Sequence, residues 1–78
     1  MNSDTRWSDV PEELRSEVVR EMNKLADTYF KDEAFRRQYM EGLKPGEYLD
    51  MQQETADHSR LLGLAIRAAV YALQRAGR

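Results

Sequence analysis

Apolar residues in the first third of the chain recur with the spacing of an α-helix. Val10, Leu14 and Val18 stand at positions i, i+4 and i+8, and Leu25 and Tyr29 continue the series. Residues at this spacing share one face of a helix, and an apolar face predicts burial. We therefore expect a first helix whose apolar side packs against the rest of the chain.

A capping sequence marks the start of this first helix. Asp9 is a preferred N-cap residue, Glu12 stands where it can reach back to the cap, and Pro11 is tolerated in the first turn. These residues predict a helix over residues 9–30. The preceding segment, residues 1–6, is short and polar, and we expect it to be disordered.

Two further helices follow from the remaining pattern. The second spans residues 33–42, and Pro45 and Gly46 come shortly after it. Because proline cannot continue a helix and glycine can adopt a positive φ angle, we expect a chain reversal at these two residues. The third helix runs over residues 47–76, for about 45 Å. The prediction is one all-α domain of three helices, with two shorter helices packed along one long C-terminal helix.

The third helix has two apolar faces. The first face holds Tyr48, Met51, Thr55, Ser59, Leu62, Ile66, Ala69, Val70 and Leu73. The second face holds Leu61, Leu64, Ala65, Ala68, Tyr71 and Ala72. A helix that is apolar nearly all round must be buried nearly all round, and two short helices can cover only one side. We expect the second face to be an interface, with a second copy of the chain in a homodimer or with a partner protein.

The composition also favours association. The chain has 78 residues, and a single core of this size rarely leaves more than about 3–5 kcal/mol of net stability. It has no cysteine and one histidine, which excludes disulfides, zinc–thiolate sites, iron–sulfur clusters and His-rich metal sites. The net charge of −2 gives no overall field that attracts nucleic acid. Oligomerisation is the remaining way to support a small core.

The sequence predicts neither an enzyme nor a membrane protein. No serine lies in a nucleophile elbow, and there is no phosphate loop and no dinucleotide fingerprint. We therefore expect no catalytic activity and no cofactor. The most apolar segment, 61–73, is shorter than the roughly 20 residues of a bilayer crossing. No apolar run resembles a signal peptide, so the expected location is the cytoplasm.

Two alternative functions depend on charged residues of the third helix. Glu54 and His58 are four residues apart on one face, as two ligands of a metal-binding helical oligomer would be, although a solvated Glu–His contact is the simpler interpretation. Arg60, Arg67 and Arg75 are candidate charged contacts to a protein or, in a nucleic-acid-binding regulator, to phosphates. The helix dipole alone also favours cations at a C-terminus.

The favoured hypothesis is a small, acidic, non-catalytic interaction module. A helical homodimer without reactive groups of its own fits an adaptor, a regulator or a stoichiometric inhibitor that acts by binding another protein. An antitoxin, an immunity protein or an anti-defence protein encoded by a phage or mobile element fits the same description.

Overall fold

A computed structural model describes residues 6–51 and 55–77, with Phe35 and Tyr39 described by their backbone alone. Two short 3₁₀ turns, Trp7–Asp9 and Glu12–Leu14, precede four α-helices. The helices are α1 (Arg15–Tyr29), α2 (Glu33–Tyr39), α3 (Pro45–Leu49) and α4 (Ala56–Arg75). The described residues contain no β-strand, which confirms the all-α prediction.

Helices α1 and α4 form an antiparallel pair that holds most of the core. Arg75 at the end of α4 reaches Glu17 near the start of α1, and Arg67 lies over the ring of Tyr29 at the end of α1. The side of α4 that faces α1 is rich in alanine, and small side chains let two helix backbones approach closely. The fully buried residues of this pair are Val18, Met22, Ala26, Leu61, Ala65, Ala68, Ala69 and Ala72.

The predicted 47–76 helix is two separate helices in the structure. Helix α3 ends at Leu49, and α4 begins at Ala56. Thr55 has an extended backbone, with φ −131° and ψ 163°, and its hydroxyl oxygen accepts the N–H of His58 at 3.2 Å. This bond is an N-cap, in which the threonine side chain replaces the missing helical acceptor. The long C-terminal helix is confirmed, but it is about one third shorter than the sequence predicted.

The first helix also starts later than its capping sequence predicts. The carboxylate of Asp9 accepts the backbone N–H of Arg6 at 2.9 Å, and so it stabilises the 3₁₀ turn that ends at Asp9 rather than a helix that follows it. Pro11 then has ψ 140°, which holds the chain extended before the second 3₁₀ turn. The assignment of Asp9 as the cap of the first helix was wrong, and α1 itself begins at Arg15.

The chain turns between α2 and α3 at Gly42, whereas the sequence predicted a reversal at Pro45 and Gly46. Gly42 has φ +70°, in the left-handed region, while Pro45 occupies the first turn of α3, where its missing N–H costs nothing. An ion pair between Asp27 and Arg36 ties the end of α1 to α2. The chain therefore turns at Gly42, after α2. Helix α3 begins at Pro45, where the sequence predicted the reversal.

Gly46 is instead required because Trp7 packs against it. The Trp7 backbone N–H donates to Oδ1 of Asp50 at 2.9 Å, and a guanidinium N–H of Arg6 donates to the carbonyl oxygen of Asp50 at 3.0 Å. The guanidinium of Arg15 lies 5.1 Å from the centre of the indole ring. These contacts fasten the N-terminal 3₁₀ turn to α3, with the indole in contact with both Gly46 and Arg15.

Gly46→Ala is expected to lower the free energy of unfolding by about 1–3 kcal/mol. A Cβ at this position would lie 2.9 Å from two atoms of the Trp7 ring, so the indole must move away from its packed position. Urea denaturation followed by circular dichroism measures the loss. Gly42→Asn is the comparison, since asparagine tolerates positive φ and no atom lies near the added Cβ. If Gly46→Ala leaves the protein as stable as the wild type, the close packing of the indole is contradicted.

Candidate functional site

The residues predicted to form an interface are mostly core residues of the single chain. Leu61, Ala65, Ala68 and Ala72 have 0% of their surface exposed, and Leu64 has 4%. Other parts of the same chain, chiefly α1, cover them, so the inference that this face of the helix needs a second chain was wrong. Tyr71 is the exception, because 41% of its surface is exposed. Whether the chain forms a dimer through another surface stays a prediction.

The partly exposed apolar surface of α4 lies on the face that the sequence assigned to the core. Ile66, Val70 and Leu73 are half-buried, at the spacing i, i+4 and i+7. We call these three residues the aliphatic strip. The assignment of the two faces was wrong in part: Leu62 and Ala69 of the first face are buried as expected, but the alanine-rich face, expected at an interface, is buried too because its small side chains let α1 pack closely. The partly exposed aliphatic surface of α4 therefore lies on this strip, although Ile66 also packs against the core.

A groove lies beside the aliphatic strip, between the end of α1 and the first half of α4. Its volume is about 350 Å³, and it is open to solvent. Its lining combines two aromatic residues, two arginines, a serine, a glycine and a leucine: Tyr29, Phe30, Ser59, Arg60, Gly63, Leu64 and Arg67. We call this cavity the Gly63 groove. It is the place where the structure brings Arg60 and Arg67, two of the predicted charged contacts, together with exposed aromatic surface.

The charge of the Gly63 groove is positive. The guanidinium of Arg67 lies 5.2 Å from the centre of the Tyr29 ring, which is a cation–π contact. Within residues 6–51 and 55–77, no carboxylate lies within ion-pair distance of Arg67. Arg60 lies 3.9 Å from the carboxylate of Asp57, and both side chains are exposed, so water screens this pair strongly. The lining of the groove therefore contains two arginines and no acidic residue, and Arg60 is only weakly paired with Asp57.

The floor of the groove is a glycine within a helix. A glycine in the middle of a helix costs about 0.5–1 kcal/mol relative to alanine. Outside the backbone of its own helix turn and its two chain neighbours, no described atom lies within 4 Å of a Cβ built on Gly63, so packing within the chain does not require a glycine there. The glycine keeps the helix backbone accessible from outside, at the point where Tyr29 and the two arginines converge.

Arg75, the third predicted charged contact, has a different environment. It forms ion pairs with Glu17, at 2.9 Å, and with Glu21. Glu21 is 4% exposed and is the one buried charged residue among those described. Lys24 also approaches Glu21, at 3.5 Å. Arg75 thus neutralises a buried carboxylate and fastens the end of α4 to α1, so it is engaged within the fold.

Only one of the two residues proposed for the alternative metal site lies within the described part of the chain. His58 is half-buried in the first turn of α4, where its backbone N–H is bound by Thr55. Glu54 lies outside the described residues. Among the residues that are described, no group of three or more His, Asp or Glu side chains is arranged to hold a metal ion.

In the same part of the chain, no helix has the length and apolar character needed to span a membrane.

The sequence favoured a core role for Tyr29 over a pocket-lining one, and it did not single out Gly63 as a site residue. Tyr29 was placed in the buried stripe of the first helix, yet it is 55% exposed because α1 ends at this residue and the chain turns away. Gly63 had one available signal, namely a helix-breaking residue in a segment that is otherwise strongly helical.

Comparison with models of known protein families, with curated proteins and with solved structures finds no match for this chain.

Proposed function

We propose that this chain is a non-catalytic, cytoplasmic interaction module that acts by binding another protein as an adaptor, regulator or stoichiometric inhibitor. The observation that supports this proposal is the surface of α4, where the Gly63 groove continues into the aliphatic strip. Exposed tyrosine and arginine beside partly buried aliphatic residues are typical of the centres of protein interfaces.

The size of the chain supports the same proposal. A core formed largely by one helix pair, with several alanines, buries little apolar surface per residue, so binding a partner adds stability that the isolated chain lacks. A second copy of the chain can supply this contact as well as a different protein can. We therefore propose the aliphatic strip, and not the alanine-rich face, as the interface of a homodimer.

Nucleic acid binding has weaker support from the geometry. Arg75 is engaged by Glu17 and Glu21, which leaves Arg60 and Arg67 as the exposed arginines of α4 near the groove. Affinity for DNA depends on several phosphate contacts, each of which adds to the salt dependence of binding. Two arginines beside an aliphatic strip fit a protein surface better than they fit a phosphate backbone.

Site-specific photo-crosslinking in the native host tests the proposed function. A photoreactive phenylalanine analogue at Val70, in the strip, is expected to give a specific covalent adduct to a protein. The same analogue at Lys24, an exposed position on α1, is expected to give none. Adding Arg67→Glu to the Val70 variant should abolish the adduct, because it reverses the charge of the groove. An adduct of twice the chain mass would identify the partner as a second copy.

The outcomes that contradict the proposal are equally specific. Equal adducts from positions 70 and 24 would show that the strip is not a preferred binding surface. The absence of adducts from position 70, with the variant folded and expressed at the normal level, would show that no protein occupies it.

A further inference from the structure

We propose that the Gly63 groove and the aliphatic strip together bind an acidic amphipathic helix of a partner protein, with its carboxylates between Arg60 and Arg67 and its apolar side against the strip. This inference rests on the proposed function, since it names the chemistry of the partner at the same surface. Helix-in-groove binding through apolar residues at i, i+3, i+4 and i+7 is a recurring mode of peptide recognition.

The charge of the groove selects carboxylates. Arg67 lies over the face of the Tyr29 ring, and this cation–π contact uses the face of the guanidinium charge rather than its N–H donors. A carboxylate can accept two parallel N–H bonds from a guanidinium, and less side-chain entropy is lost because the contact with Tyr29 already restrains Arg67. Arg60 stands seven residues earlier on the same side of α4, two turns or about 10 Å away. A partner with two acids about two turns apart matches this separation.

The shape of the surface selects a helix. Gly63, Ile66, Val70 and Leu73 follow one another along one side of α4, over about 15 Å. The missing side chain at Gly63 lets a second helix backbone approach closely at one end, and the three aliphatic residues continue the contact at the other. Three turns of α4 are thus available, which suits a partner helix of about 10–14 residues.

A nucleic acid and a basic partner are disfavoured by the same features. Phosphates would pair with Arg60 and Arg67 but would leave the aliphatic strip in water, which forfeits its burial. A basic partner would repel both arginines. An acidic amphipathic helix is the occupant that satisfies the arginines and covers the strip at once.

The test is a titration of the isotopically labelled chain by NMR with two designed probes. The first is a 14-residue helical peptide with leucines on one side and glutamates flanking them, and the second has lysines in place of the glutamates. The glutamate peptide is expected to shift the amide signals of Tyr29, Gly63 and Arg67, and to bind at least tenfold more tightly than the lysine peptide. Raised salt should weaken this binding, because the arginines remain exposed.

Three variants in the groove and one control on α1 locate the contact. Arg67→Gln is expected to raise the Kd of the glutamate peptide at least tenfold, whereas Lys24→Gln, at an exposed position on α1, should leave it unchanged. Gly63→Leu should block the approach of the peptide. Gly63→Ala is the informative intermediate, since it is expected to raise the Tm of the free chain while weakening binding. A loss of binding with higher stability cannot arise from unfolding.

Several results would overturn the proposal. Equal binding of the two peptides would show that charge does not select the occupant, and shifts confined to other residues would place the contact elsewhere. Tighter binding of an oligothymidylate at Gly63 and Arg67 would assign the groove to nucleic acid. Concentration-dependent shifts of the free chain at the same residues would assign the groove to a second copy.

If the glutamate peptide fails to bind while photo-crosslinking from position 70 succeeds, the proposed acidic helix is wrong and the proposed interaction module stands. If crosslinking also fails, the acidic helix and the interaction module are both wrong.

Discussion

Leu61→Ala is expected to lower the free energy of unfolding by about 2–5 kcal/mol at every protein concentration. The side chain is fully buried in the core of the single chain, and its removal leaves a cavity as well as losing its burial. The expected loss is comparable with the whole net stability of a domain of this size, about 3–5 kcal/mol. Circular dichroism and urea denaturation should therefore show a variant that is largely unfolded at 25 °C.

Leu73→Ala is the matched control, because it makes the same chemical change twelve residues later on the same helix. Leu73 is half-buried on the aliphatic strip, so a loss of about 1 kcal/mol or less is expected. The sequence pattern assigned these two leucines to opposite roles, with Leu73 in the core and Leu61 at the interface. A Leu73→Ala protein that unfolds while the Leu61→Ala protein stays folded, or a Leu61→Ala effect that vanishes at high concentration, would restore that assignment.

Arg75→Ala is expected to lower the free energy of unfolding by about 1–3 kcal/mol. The arginine is the main partner of Glu21, a buried carboxylate, and it also binds Glu17 at 2.9 Å. Without it, Glu21 keeps only the longer contact to Lys24, at 3.5 Å, and a buried charge with too few partners is costly. Thermal and urea denaturation measure the change.

Two comparisons separate this effect from a general loss of positive charge. Arg20→Ala removes an exposed partner of Glu17 and is expected to change stability by no more than about 0.5 kcal/mol. Adding Glu21→Gln to the Arg75→Ala variant should recover part of the loss, because the group left in the interior is then neutral. If both arginine variants behave alike, or the double variant is no more stable than Arg75→Ala, Arg75 does not act through Glu21.

The main features of the fold could be predicted from the sequence because they depend on local properties. Apolar residues repeating every three to four positions predicted helices over most of the chain, and Pro45 predicted that no helix passes from residue 44 to residue 46. The long C-terminal helix and the absence of strands from the described residues follow from the same pattern. The predicted ends of the helices were less accurate. Thr55 accepts the N–H of a residue that follows it and Asp9 that of a residue that precedes it, and this choice depends on the neighbouring backbone geometry.

What the sequence by itself determined, therefore, is an all-α chain with a C-terminal helix that has more apolar surface than one neighbour covers. Only the tertiary structure decided which face α1 covers, because both faces of α4 are apolar and the choice depends on packing distance. The alanines Ala65, Ala68 and Ala72 admit α1 closely, and this leaves the aliphatic strip partly exposed. The same packing places Tyr29 beside Arg67, although they are far apart in the chain, and so forms the Gly63 groove, which no local pattern contains.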